Sequence, residues 1–174
     1  MSEEGIKRAD KKVTSIAWYD KQVDEWGIVV LDEKNHFGTN IKTKSNKKII
    51  PCRNEGELLA RFLEKFREID PDILVGWNSD FFDIPYLYFR MCKVLGEDFA
   101  RHLSPIGTIR ETPWFKDQYI QIAGVESLDY MRLHKKFSWA EESSMRLDAI
   151  GEKYAGIKKI EYEGNLDKLY EEDI

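Results

Sequence analysis

The run Ile73-Leu74-Val75-Gly76-Trp77 constrains this chain more than any other stretch. It is short, continuously apolar and sharply bounded. Asp70-Pro71 precedes it, and a residue before proline is pushed out of the helical region. Asn78-Ser79-Asp80 follows it, a polar turn. A run of this length between turn signals suits a strand buried on both faces, as in the middle of a helix-covered sheet. Residues 78–96 then read as a helix, with Asn78 as cap, Pro85 in the first turn, and Tyr86, Phe89, Met91 and Val94 continuing it to a stop at Gly96.

The flanking patterns agree with a sheet carrying helices. VTSIAWYD (13–20) and EWGIVVLD (25–32) are rich in β-branched and aromatic residues and joined by a short polar link, so a hairpin is expected. The polar stretch 33–48 reads as loop with one weak strand. Asn54 with Glu57 resembles a capping box, and Leu58, Leu59, Phe62, Leu63, Phe66 and Ile69 follow at helical spacing. Residues 104–126 alternate on both sides of ETPWFKDQ, which predicts a long protruding hairpin. Residues 127–137 pass from strand into helix. Residues 143–156 form another helix, capped by Ser143 or Ser144 and stopped by Gly156, and a last helix starts within 165–174. The order specifies a mixed α/β domain with helices packed on a sheet. Residues 1–12 are charged and aperiodic and are expected to be poorly ordered, which leaves 13–174 as the domain.

Composition excludes several classes. There are 27 basic against 32 acidic side chains, a formal charge of −5, so the chain is not a polycation that coats nucleic acid without regard to sequence. No stretch approaches the ~20 apolar residues of a bilayer-crossing helix, and the first residues hold no apolar signal core, so a cytoplasmic protein is expected. Cys52 and Cys92 cannot build a disulfide framework or a four-thiolate zinc site, and read as buried, reduced thiols. His36, His102 and His134 share no helix face and are not read as metal ligands.

The segment with most chemistry is GWNSDFFDIPYLYFR (76–90). Asn78 and Asp80 lie at the end of the strand and Asp83 near the first turn of the next helix. Sites in open α/β sheets gather at such junctions, where helix N-termini point unpaired N–H groups. A carboxylate there can hold a hard cation such as Mg²⁺ or Mn²⁺, or simply cap the helix and complement its dipole. Phe81, Phe82, Tyr86 and Tyr88 offer faces on which an unpaired base could stack, or they belong to the core.

The string N-S-D-F-F-D-I-P-Y-L resembles the second exonuclease motif of family B DNA polymerases, N-x-x-x-F-D-x-P-Y, through Asn78, Phe82, Asp83, Pro85 and Tyr86. The resemblance continues through S-P-I-G-T, S-L-D-Y-M-R-L-H-K-K-F-S (127–138), S-M-R-L-D-A-I-G-E-K-Y-A-G (144–156) and K-I-E-Y-E-G-N-L-D-K-L (159–169), and is similar to the replicative polymerases of large tailed phages. It implies a ribonuclease-H-like fold and 3′→5′ proofreading of single-stranded DNA ends by two divalent metal ions, Mg²⁺ or Mn²⁺, in a phage-infected bacterial cell. By resemblance Asp83 is catalytic and binds metal, and Asn78, Phe82 and Tyr86 position the terminal nucleotide or brace Asp83. Trp114 and Phe115, at the hairpin tip, contact DNA, and Lys159 offsets phosphate charge. Arg90, Lys93, Arg101 and Lys135 form a candidate basic strip for phosphates.

The chain departs from the family pattern. The first motif, Asp-x-Glu, is absent from the sequence, since Asp24-Glu25 and Asp32-Glu33 are adjacent pairs whose side chains on a strand would face opposite ways. The third, Tyr-x-x-x-Asp, is unmatched because Asp173 follows Tyr170 by three residues. Of the metal-binding carboxylates, only Asp83 is present. The expectation is a partial exonuclease domain, lacking its first strand, weak or inactive alone and unable to retain its metals by itself. The rest of the polymerase, or a companion polypeptide, would complete it. The alternative is a non-catalytic module that holds single-stranded DNA or assembles with a polymerase.

Overall fold

A computed structural model of the chain describes residues 2–37, 46–113, 119–138, 142–158 and 160. Seven strands and six α-helices alternate along them. The hairpin predicted over 13–32 is present as β1 (Ser15–Asp20) and β2 (Glu25–Leu31), antiparallel with Trp18 opposite Gly27. β3 (Lys47–Cys52) pairs parallel to β2, so the weak strand expected within 33–48 lies at the end of that stretch and beyond it. Helix α2 (Glu55–Ile69) begins where the sequence places it: the Asn54 side chain accepts from Glu57 N–H at 2.9 Å. It ends at Asp70, which takes a left-handed conformation with φ of 47°.

β4 (Ile73–Gly76) and β7 (Glu126–Asp129) form a separate parallel pair, and β5 (Ile109–Glu111) and β6 (Ile120–Ile122) an antiparallel one. The base of the predicted hairpin is therefore β5–β6, with its tip outside the described residues. β4 corrects one expectation. It is not buried on both faces: Ile73 and Val75 are 53% and 61% exposed. β7 is its single sheet neighbour, and β4 and β1 are each end strands of their sheets among the described residues.

The other helices are α1 (Glu3–Arg8), α3 (Asp83–Leu95), α4 (Glu97–Ala100), α5 (Tyr130–Phe137) and α6 (Leu147–Ala155). The N-terminal stretch, expected to be poorly ordered, contains α1, and Ile6 and Ala9 are fully buried. One apolar side chain in the helix, Ile6, with Ala9 at its C-cap, was too little to show periodicity, and the order comes from tertiary contact with α3. One core runs from β2 (Val29, Leu31) through the apolar face of α2 (Leu58, Leu59, Phe62, Leu63) to Met91 of α3 and Ile120 of β6. Among the described residues no helix is long and apolar enough to cross a membrane.

Candidate active site

The carboxyl ends of β4 and β7 lie side by side, with Gly76 opposite Asp129. From Gly76 the chain makes a tight turn over residues 77–82 and enters α3 at Asp83. Asn78 takes a left-handed conformation, φ 62°, in this turn. It does not cap α3 with its side chain; Phe82 occupies the cap position, and the Asn78 carbonyl accepts from the N–H groups of Phe81 and Phe82. Asn tolerates the left-handed region better than most residues, which suits Asn78 to the bend.

Asp129 holds the turn in place. It is 3% exposed, ends β7 and caps α5. Its Oδ1 accepts from Asn78 N–H at 3.0 Å and from Met131 N–H at 2.9 Å, and its Oδ2 from Asp80 N–H at 3.2 Å. Asp80, also buried, accepts from the Ser127 hydroxyl at 2.5 Å and from Arg132 Nη1 at 3.2 Å. Loss of solvation pushes the Asp80 carboxyl above its usual range. The bonds from Ser127 and Arg132 oppose that rise, and the charge of Asp129 adds to it.

Asp83 differs from both. It is exposed, and among the described residues no other side chain donates to it. Crowding by the surrounding protein raises its pKa, and Asp129 acts in the same direction, while its own backbone N–H lowers it. A carboxylate of raised pKa with open oxygens is one for which a cation would be a favourable neighbour. Phe82 beside it is partly exposed, and its ring stacks on Tyr86 at 6.0 Å between centroids.

The other expected site residues fall into three groups. Tyr86 lies in α3 near Asp83, but its hydroxyl donates to Lys11 O at 2.7 Å and accepts from Lys11 N–H at 3.0 Å, so its polar end is engaged within the domain. Trp114, Phe115 and Lys159 lie outside the described residues. The basic strip is corrected at Arg90, while Lys93 and Arg101 are exposed and make surface pairs. Arg90 is buried against Glu55 and cannot reach a phosphate. Lys93 donates to Arg8 O and Asp10, and Arg101 pairs with Glu97. Lys135 lies on the exposed side of α5. The sequence reading gave Asp129 no role; its place between a strand and a helix, Leu128-Asp129-Tyr130, is the signal that could have marked it as a cap.

The donor set fits only part of a metal pair. Asp129 spends its oxygens on three N–H groups and Asp80 on Ser127 and Arg132, which leaves Asp83 as the uncommitted carboxylate at this corner. Among the described residues no group of three or more His, Cys, Asp or Glu side chains is placed to hold a metal.

Comparison with known proteins decides the family. The profile of the DNA polymerase family B exonuclease domain matches residues 7–150. The chain belongs to that family. The DNA-directed DNA polymerase of Escherichia phage RB69 is 36% identical over 156 residues, 86% of this chain and 17% of that polymerase. The DNA-directed DNA polymerase of Enterobacteria phage T4 is 31% identical over 126 residues, 70% of this chain and 14% of the relative. The DNA polymerase delta catalytic subunit of Caenorhabditis elegans is 47% identical over 56 residues, 32% of this chain. This family B exonuclease-domain chain thus spans less than a fifth of the length of its phage relatives, and the β4-turn-α3 corner lies inside the matched region.

Proposed function

We propose that this chain is the 3′→5′ exonuclease region of a family B DNA polymerase and acts on the single-stranded 3′ end of DNA. The observation that carries this reading is the setting of Asp83. It is the free carboxylate at the mouth of two parallel strands, in the first turn of a helix, inside the N-x-x-x-F-D-x-P-Y string. Positive helix-terminal N–H groups and the exposed Phe82 ring favour a phosphate and a base at the same corner.

Asp83 would supply one ligand to a pair of divalent cations, Mg²⁺ or Mn²⁺, whose chemistry when bound is to activate water and stabilise the leaving oxygen. The remaining carboxylates would come from other segments of the polymerase or from a companion polypeptide. The end positions of β1 and β4 support this: a strand inserted between them would join the two sheets into one of ribonuclease-H-like order and cover the exposed Ile73 and Val75. The similarity to phage polymerases supports an infected bacterial cell as the setting.

The test combines the chain, Mn²⁺ and an end-labelled single-stranded oligonucleotide, with and without a polypeptide carrying an Asp-x-Glu strand. Shortening from the 3′ end that requires the added strand and is abolished by Asp83→Ala is the expected result. One observation favours a second reading, a non-catalytic module that binds single-stranded DNA or assembles with a polymerase: among the described residues the corner offers one uncommitted carboxylate. Binding of the oligonucleotide without shortening in every mixture would establish that reading instead.

A further inference from the structure

We propose that Asp129 is a positioning residue for Asp83: its carboxylate holds the turn that presents Asp83 and is not itself available to a metal. The proposal rests on reading Asp83 as a metal ligand. Its basis is geometric. A carboxylate is an acceptor only, and this one is 3% exposed with both oxygens taken by the N–H groups of Asn78, Asp80 and Met131. Two of those three N–H groups belong to the bend between β4 and α3, which contains the left-handed Asn78. Such a conformation persists where surrounding contacts over-determine it. The third N–H belongs to α5, so one side chain fixes the β4 exit and the α5 entry to each other.

Asp80 stands behind it. Ser127 and Arg132 fix the Asp80 side chain, and Asp129 fixes the Asp80 backbone. The chain from Asn78 to Asp83 is therefore tied to β7 at Asp129 and Ser127 and to α5 at Arg132. Without Asp129, the buried N–H of Asp80 and the partly buried N–H groups of Asn78 and Met131 lose their acceptor and the bend relaxes. Asp83 then leaves the position it holds beyond the strand ends. Asp129 thus acts through backbone geometry, by a route different from a cation ligand.

The experiment uses amide exchange and Mn²⁺-induced line broadening, both read by NMR, in the wild-type chain and in Asp129→Asn and Asp129→Ala. Asn retains one oxygen for the N–H groups of Asn78 and Met131 and presents a donor to Asp80. The expected result is that Asp80 exchange quickens by about tenfold or more in Asp129→Asn, and that all three amides do so in Asp129→Ala. Mn²⁺ broadening at residues 82–84 should weaken modestly in the first and be lost in the second, with Leu59 and Val29 still protected. Both variants remove the same charge, so equal losses would mean that Asp129 acts by charge alone and would overturn the proposal. Unchanged broadening in Asp129→Ala would overturn it too. If Asp129→Ala does not fold, Asp129→Asn decides: unaltered Asp80 exchange refutes the proposal and quickened exchange with weakened broadening supports it. Absence of broadening at residues 82–84 in the wild-type chain would remove the metal reading of Asp83. The positioning claim would then stand or fall on whether the chemical-shift signature of left-handed Asn78 disappears in Asp129→Ala, which removes the acceptor of its N–H, and persists in Asp129→Asn, which keeps it.

Discussion

Arg90 and Glu55 form a two-pronged ion pair, Nε to Oε1 at 2.7 Å and Nη2 to Oε2 at 2.6 Å, in the interior between α3 and α2. The same guanidinium donates to Ala9 O at 2.8 Å, and the same carboxylate accepts from Val13 N–H at 2.8 Å. Burial alone would raise the Glu55 carboxyl, but the bonds from Arg90 and Val13 outweigh it and hold the carboxyl below its usual range. The pair thus joins the segment ahead of β1 to both core helices. Arg90→Ala leaves a buried carboxylate without its partner and should cost about 3–5 kcal/mol, measured by urea unfolding. Replacing both partners, Arg90→Met with Glu55→Leu, should cost less than the single change, because no charge remains unpaired. A wild-type-like midpoint for Arg90→Ala would mean that the residue is solvated after all and free for DNA.

Tyr86 has a related duty. Its hydroxyl bonds both the N–H and the carbonyl of Lys11, while Arg90 and Lys93 hold residues 8–10 along the same helix. Tyr86→Phe should therefore lower stability by about 0.5–1.5 kcal/mol and quicken amide exchange at Lys11, with the Phe82 ring still free to stack. If the same change instead weakened oligonucleotide binding and left Lys11 exchange as it was, the hydroxyl would belong to the DNA surface.

Much of this architecture could be read from the sequence, and the misses have specific causes. The hairpin of β1 and β2, the start of α2 at Asn54 and the strand-to-helix passage at Asp129–Tyr130 follow from local patterns that tertiary contacts reinforce. α1 escaped notice because its order comes from Ile6 and Ala9 packing on α3, a contact about 80 residues away in sequence. The exposed face of β4, carrying Ile73 and Val75, was misjudged because an apolar run reports what a strand is able to bury, not whether a neighbour is present to cover it. The strand-turn-helix corner that carries Asp83 was legible through its motif. Asp129 could be read at most as a helix cap, from its place between strand and helix; its hold on the β4 turn leaves no sequence pattern, since the partners there are backbone N–H groups. Arg90 was read as a surface cation because charge alone does not reveal a buried partner such as Glu55.

Gly76 permits the turn that carries Asp83. A Cβ added at Gly76 would lie 2.6 Å from the Cβ of Ser79 and 2.8 Å from its hydroxyl oxygen. Neither atom is the end of a long flexible side chain, so the turn itself must move. Gly76→Ala should cost about 1–3 kcal/mol in thermal or denaturant unfolding. Adding Ser79→Gly removes the colliding atoms and should restore part of the loss, a non-additivity that identifies the contact. Simple addition of the two single effects would show that Gly76 is needed for another reason.

Glu142 supplies the clearest pH dependence. Its carboxylate accepts from the Tyr154 hydroxyl and, at 2.9 Å, from Lys153 Nζ, both on α6, and lies 3.4 Å from Nε2 of His134 on α5. The Tyr154 and Lys153 bonds lower its pKa to about 2, against an ordinary value of 4.5. A carboxyl whose pKa is lower in the folded protein stabilises the fold fully above the unfolded value, and that contribution fades as pH falls toward the folded one. The clasp between α5 and α6 should therefore hold at pH 6 and weaken steadily between about pH 4.5 and 2. Glu142→Gln removes this ionisation while keeping an acceptor for Tyr154. The melting temperatures of the wild type and Glu142→Gln should differ at pH 6, with the wild type higher, and converge on acidification toward pH 2. The comparison cancels the other carboxylates, which titrate in both proteins. A gap that stays constant across that range would show that Glu142 contributes by packing alone. The same titration bears on the candidate site, because Met145 O, just before α6, accepts from Trp77 Nε1 at 3.0 Å at the end of β4. As the clasp opens, Trp77 should lose that bond, and its fluorescence, isolated in a chain with the other four tryptophans replaced by phenylalanine, should shift to longer wavelength over the same pH interval.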